Sequence, residues 1–242
     1  MNLPMNQKPH QNHPKLWAVI PAAGTGSRFS QTALKQYQYI ANQTVLEHSI
    51  QALLQLPLSG CMVAVHPEDH FANTLNLPKQ VKFCHGGKER MDSVLAALYA
   101  LRQENIANDD YVLVHDAARP CLHAAQISQI LTFVASKQPA AIVAVPVRDT
   151  LKKSNSEQYI TQTVSREALW QAQTPQIVKY AILVHALEYA KQHHLIVTDE
   201  ASALEMIHTP VALLHGRADN LKITYPEDLE LATMILDSRN KQ

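Results

Sequence analysis

Glycine is scarce in this chain: six among 242 residues. The loop after the first apolar run holds Gly24 and Gly26 but no third glycine and no GxxxxGK[ST], which excludes a dinucleotide fingerprint and a kinase-type P-loop. Cysteine is also sparse. Cys61, Cys84 and Cys121 show no CxxC spacing, so neither a zinc site nor a disulfide framework is expected, and they read as packing residues in a reducing cytosol. No stretch reaches the roughly 18–20 apolar residues of a membrane span. The opening MNLPMNQKPHQNHP lacks the apolar core of a secretory signal and predicts a disordered tail over residues 1–14; the closing SRNKQ is expected to fray. An excess of either charge is missing too, with 21 basic and 21 acidic residues. Nucleic acid and membrane surfaces are thereby poor partners, whereas a small phosphorylated ligand needs only a local cluster of cations. These absences describe a cytoplasmic protein, expected to form one domain over residues 15–238.

What is present is an alternation of apolar runs and helical patterns. Leu16 to Ile20, Cys61 to Val65, Val81 to Cys84, Tyr111 to Val114 and Ala140 to Val145 read as buried strands. Between them, Thr44 to Leu56, a segment from about Glu89 to Leu101, and Ile127 to Val134 carry helical periodicity. Repeated β-α units predict a mostly parallel sheet with helices on both faces, and ligands in such sheets sit beyond the carboxyl ends of the strands. The pattern breaks at residues 147–171, where charged residues and a weak alternation at Tyr159 to Val164 predict a hairpin-like arm. An arm cannot bury its apolar residues alone, which points to a two-fold homodimer. Helices are expected at Lys179 to His193, Glu200 to Ile207 and from Pro226 to Leu236, with short strands at Val211 to Leu214 and Leu221 to Thr224.

Residues with chemistry follow the strands. In PAAGTGSRFSQTALKQY (21–37), Gly24 and Gly26 let backbone N–H groups approach phosphate oxygens, and Arg28 and Lys35 add positive charge. HGGKERMDSV follows the third strand. Gly86 and Gly87 suit close approach to a base and Ser93 is a hydrogen-bonding candidate, although a tight strand-to-helix turn would use the same residues. VHDAARP places Asp116 at the crevice, where a carboxylate beside phosphates binds Mg²⁺ directly or through water. Arg119 either pairs with a phosphate or with Asp116. PVRDT supplies Thr150, and SREALWQAQTPQ supplies Arg166 and the anchor Trp170. In TDEASALE, Thr198 or Asp199 caps a helix. GRADNLKIT holds Asp219 as a candidate substrate ligand, and Lys222 in an apolar run, where a lysine suggests an anion or an edge strand guarding against aggregation.

Taken together and in order from Trp17 to Leu236, these seven segments resemble the 2-C-methyl-D-erythritol 4-phosphate cytidylyltransferases. The resemblance implies a Rossmann-like nucleotidyltransferase fold of the α/β class with a protruding dimerisation arm, CTP and a small alditol phosphate as substrates, and Mg²⁺ as cofactor. It assigns Ala22, Ala23, Gly24, Gly87 and Ser93 to the cytidine, and Arg28, Lys35 and Lys222 to the triphosphate. Asp116 falls near metal and substrate, while Thr198, Arg119, Thr150 and Arg166, in part from a partner's arm, take the alditol phosphate. Ser27 and Lys88 depart from common residues of the family, and the chain is too short for the cyclase domain of bifunctional relatives. A ribitol 5-phosphate cytidylyltransferase, a uridylyl- or adenylyltransferase of similar fold, and a non-catalytic nucleotide sensor are the alternatives.

Overall fold

Strict alternation in LWAVIP makes the first strand a two-sided element: Leu16, Ala18 and Ile20 face one layer, and Trp17 and Val19 the other. Both faces are apolar, as expected of a strand covered by helices above and below. The structure, a computed structural model, describes residues 14–24, 29 and 34–240. The tail expected over residues 1–14 thus lies almost wholly outside the described residues, as do Gly26 and Arg28.

The elements follow in the order β1 (Leu16–Pro21), β2 (Tyr39–Ile40), β3 (Gln43–Thr44), α1 (Val45–Leu53), β4 (Leu58–Val65), β5 (Val81–His85), α2 (Arg90–Arg102), β6 (Tyr111–Val114), α3 (Ala124–Ala135), β7 (Ala140–Pro146), β8 (Leu151–Ser154), β9 (Ile160–Val164), β10 (Trp170–Lys179), α4 (Tyr180–Gln192), α5 (Glu200–Met206), β11 (Ala212–His215) and α6 (Pro226–Asn240). The central sheet has seven strands in the order β11-β7-β10-β6-β1-β4-β5. Its pairings are parallel except those of β10, which runs antiparallel to both β6 and β7. Helices α1 and α3 pack on one face, and α2, α4 and α5 on the other. This is the α/β, Rossmann-like architecture that the residue pattern predicts. Among the described residues no helix is long and apolar enough to cross a membrane.

Three expectations are corrected. Strand β10 is absent from the sequence reading because Gln173, Thr174, Pro175 and Gln176 interrupt its apolar run, yet all four are buried. Residues 221–224 form no strand; they are held instead by Ile223, fully buried, whose N–H donates to the Ala118 carbonyl at 2.8 Å. The C-terminus does not fray at Ser238, since α6 continues to Asn240. The arm matches its expected form: β8 and β9 pair antiparallel as a separate two-stranded sheet, with Tyr159 and Ile160 about two-thirds exposed.

Local signals fix the ends. Helix α1 starts at a capping box, in which Thr44 Oγ1 accepts the Glu47 N–H and Glu47 Oε2 accepts the Thr44 N–H at 2.7 Å. Asp110, buried between sheet and loop, accepts the Lys15 N–H at 2.8 Å, the Trp17 indole N–H at 3.0 Å and the Ala107 N–H at 2.9 Å. It thereby ties the start of β1 to the turn entering β6. Asp110→Ala leaves these donors without their acceptor, and the expected loss is about 2–4 kcal/mol. In urea unfolding the midpoint should fall with little change in slope.

Candidate active site

A cavity of about 720 Å³ opens at the carboxyl ends of β1, β4, β5 and β6, within the range of small-ligand sites. Its walls come from Pro21 to Gly24, His66 and Pro67, Gly86 to Arg90, Asp116 to Ala118, and two cationic segments at Lys35 and Lys222. The strand ends are thus brought together as the alternating pattern requires.

The double glycine has a geometric reason. A Cβ on Gly86 would stand 2.6 Å from Ala23 Cβ, and one on Gly87 would stand 2.3 Å from Asp92 Cβ. Neither fits without moving the first loop or α2, so the turn brings the backbone of 86–87 flush with the cavity wall. Ser93 is buried, and its Oγ accepts the Gly87 N–H at 3.1 Å and lies within hydrogen-bond reach of the Gly87 and Glu89 carbonyls. The hydroxyl is therefore engaged in shaping the turn. Gln36 fastens the first loop by donating to the Ala22 carbonyl at 3.1 Å.

The cations converge from distant segments. Lys35 donates to the Ile223 carbonyl at 3.0 Å, and Lys222, the preceding residue, pairs with Asp116 Oδ2 at 2.9 Å. Buried Ile223 is the hinge of this arrangement: with its side chain in the core, its neighbours Lys222 and Thr224 line the cavity. Asp116 is 7% exposed and carries two further ion pairs, Arg119 Nε to Oδ2 at 3.2 Å and Arg90 Nη2 to Oδ1 at 3.4 Å. Burial opposes its charge, but Lys222, Arg90 and Arg119 outweigh that and hold the carboxyl well below the usual carboxylate range.

Not every anticipated residue reaches the cavity. Arg119, Thr150, Arg166, Thr198 and Asp219 are absent from its lining. Arg119 is buried and donates to Asp116 and to the Asn220 carbonyl at 2.7 Å, so its Asp116 pairing is the structural alternative of the two. Asp219 is bound by Arg217 at 2.8 Å and Arg239 at 3.0 Å. Thr150 and Arg166 are exposed at the base of the arm, where Arg166 Nη1 donates to the Arg148 carbonyl. Thr198 is exposed one residue ahead of Asp199, which is the cap of α5. Arg90 and Glu200 were not anticipated as a pair. Arg90 had a signal, since a cation as the first residue of a helix opposes the macrodipole. Glu200 had none, because an acid in a first turn is ordinary.

His115 is fully buried behind Asp116. Its Nε2 lies 3.0 Å from the Arg119 carbonyl and its Nδ1 lies 2.9 Å from Thr174 Oγ1, which in turn accepts the Asp116 N–H at 3.0 Å. A carbonyl can only accept, so Nε2 carries the proton and Nδ1 accepts from the Thr174 hydroxyl. The ring pins both sides of the loop that carries Asp116.

Known proteins resemble the chain along nearly its whole length. The family model described as "IspD: 2-C-methyl-D-erythritol 4-phosphate cytidylyltransferase" matches residues 16–238. The 2-C-methyl-D-erythritol 4-phosphate cytidylyltransferase of Acinetobacter baumannii (strain AYE) is 57% identical over 93% of this chain and 95% of its own. That of Vibrio cholerae is 47% identical over 93% and 97%. The crystal structure of the Francisella tularensis 2-C-methyl-D-erythritol 4-phosphate cytidylyltransferase superposes with a TM-score of 0.80 at 32% identity, covering 91% of this chain and 99% of that one.

Burial pushes the His115 pKa down to about 4, against a weaker upward pull from its bond to the Arg119 carbonyl. The folded state thus prefers the neutral ring. Its contribution is complete above the unfolded value of about 6.5 and is lost as pH falls through the folded one, amounting to roughly 3 kcal/mol. His115→Gln should flatten the decline of stability between pH 6.5 and 4, measured by urea unfolding across that range; an unchanged slope would show that the ring is not responsible.

Proposed function

The chain belongs to the IspD family of 2-C-methyl-D-erythritol 4-phosphate cytidylyltransferases, and from that membership we propose how its residues divide the reaction. The protein transfers CMP from CTP to 2-C-methyl-D-erythritol 4-phosphate and releases pyrophosphate, a step of isoprenoid precursor synthesis. The observation that carries the residue assignment is the meeting of Lys35 and Lys222 across Ile223, beside Asp116 in the cavity.

A phosphate oxygen of the alditol attacks the α-phosphorus of CTP, and pyrophosphate leaves in line. The nucleophile is already an anion, so no strong general base is needed. The barrier is repulsion between anions and the charge gathering on the transferring group, which fixed cations relieve. Lys35 and Lys222 supply that charge, joined by Arg28, whose assignment rests on the family resemblance. The backbone of Ala22, Ala23, Gly24 and Gly87 cradles the nucleotide, with Ser93 holding the Gly87 turn in shape. Arg119 serves by fixing Asp116, and Asp219 by bracing the loop that delivers Lys222.

Among the described residues no group of three or more His, Cys, Asp or Glu is placed to hold a metal ion. Mg²⁺ does not need one, because it keeps several waters and takes one or two carboxylates together with substrate phosphates. Asp116, which lines the cavity together with Glu89, fits that demand, and Mg²⁺ held there would neutralise charge on the phosphates. The chain works as a homodimer through the arm, and the exposed Tyr159 and Ile160 support this, since a free chain gains nothing from exposing them. In that dimer Thr150 and Arg166 of a partner's arm join Thr198 around the alditol phosphate.

Pyrophosphate release should require CTP, Mg²⁺ and methylerythritol phosphate together, and should be far slower with UTP or with ribitol 5-phosphate. Lys35→Ala and Lys222→Ala are each expected to lower turnover roughly 10²–10³-fold; near-normal turnover in either rejects its role. Sedimentation should give a dimer for the wild type and a monomer for Ile160→Asp, and a monomeric, fully active wild type would exclude the shared site.

A further inference from the structure

We propose that Glu200 is a positioning residue for the transfer, acting through Arg90 to keep Asp116 open to the cavity; the inference rests on the cavity being the triphosphate site. Glu200 is 1% exposed. Its two oxygens accept from Arg90 Nη1 at 2.6 Å and Nη2 at 3.1 Å. Burying a carboxylate is costly unless its partner is well placed, and α5 does not need it as a cap. Asp199 already accepts the Ser202 N–H, and Gln176 Oε1 accepts the Ala201 N–H at 2.9 Å. The benefit of an acid in a first turn is small against the cost of desolvating it.

Arg90 is out of place locally, a cation as the first residue of α2. A buried acid and a misplaced cation, from segments 110 residues apart and meeting at a cavity wall, mark a site that local preferences do not explain. The distances show what the pairing does. The fork of Arg90 is spent on Glu200, and only Nη2 reaches Asp116, at a long 3.4 Å. Arginine pairs best with a carboxylate through two parallel bonds. Without the charge of Glu200, the fork would close on Asp116 and displace Lys222 from Oδ2, where it now sits at 2.9 Å. Glu200 therefore holds Arg90 back. Asp116 keeps Oδ1, met only by the long Arg90 contact, for what enters the cavity, and Lys222 keeps its place at Oδ2 on the cavity wall.

The test is steady-state pyrophosphate release by the full chain, with kcat and KM determined separately for Glu200→Gln, Arg90→Gln and the double variant. Rates are taken per folded chain, counted by CTP binding and thermal unfolding. Glu200→Gln is expected to lower kcat roughly 10- to 100-fold, as loss of an outer positioning partner does, with a smaller change in the KM for CTP. The double variant should be at least as fast as Glu200→Gln alone, because the trapping group is gone. An unchanged kcat in folded Glu200→Gln, or multiplying losses in the double variant, would overturn the proposal. Should Glu200→Gln not fold, Arg90→Lys carries the test from the other side, since an ammonium cannot close on Asp116 as a fork: kcat should stay within a few-fold of wild type, and a 10- to 100-fold loss overturns the proposal. A wild type that releases no pyrophosphate from CTP would instead refute the functional reading.

Discussion

One buried carboxylate organises this site. Asp116 stays ionised in a place where burial disfavours its charge, because Lys222, Arg90 and Arg119 each lie within ion-pair distance. Each of those cations is in turn held by something else. Arg119 is fixed to the Asn220 carbonyl, Arg90 to Glu200, and Lys222 by the buried Ile223 beside it. Charges that share one partner repel one another, so the cluster is stable only while the surrounding backbone holds them there. The same cations are what an incoming triphosphate needs, and this couples the integrity of the fold to the chemistry.

The backbone does that work from the strand ends. Each cavity-lining loop begins directly at a strand end, and the strands are locked in register by apolar side chains on both faces. Strand β10 enters antiparallel between β6 and β7 and places Thr174 behind Asp116, where its hydroxyl links the Asp116 N–H to His115. The polar run that hides this strand in the sequence is thus the run that supports the site. Its buried glutamines and threonine are bonded to the start of α5, to the 217–220 loop and to His115.

The double glycine marks a place where side chains have no room. Gly86 and Gly87 are needed because the first loop and α2 press against them. That packing brings the backbone to the cavity surface, so the structural and the functional explanations of the double glycine coincide. Ser93 shows the same economy, ordering the turn rather than standing free in the cavity.

The residues themselves determined the α/β class, the arm, and the loops that carry chemistry, because alternation, periodicity and motif order are short-range properties. The rule that strand ends face a common edge placed Gly24, Lys35, Gly87 and Asp116 in one crevice, the family resemblance added Lys222, and all five line one cavity. The sequence did not reveal that Arg119 turns inward, that Asp219 is bound by two arginines, or that Glu200 reaches Arg90 across 110 residues. Ion pairing is decided by distances of a few ångströms between side chains. Those distances exist only once the sheet has brought remote segments together, and until then a charged residue has no more claim on one partner than on another.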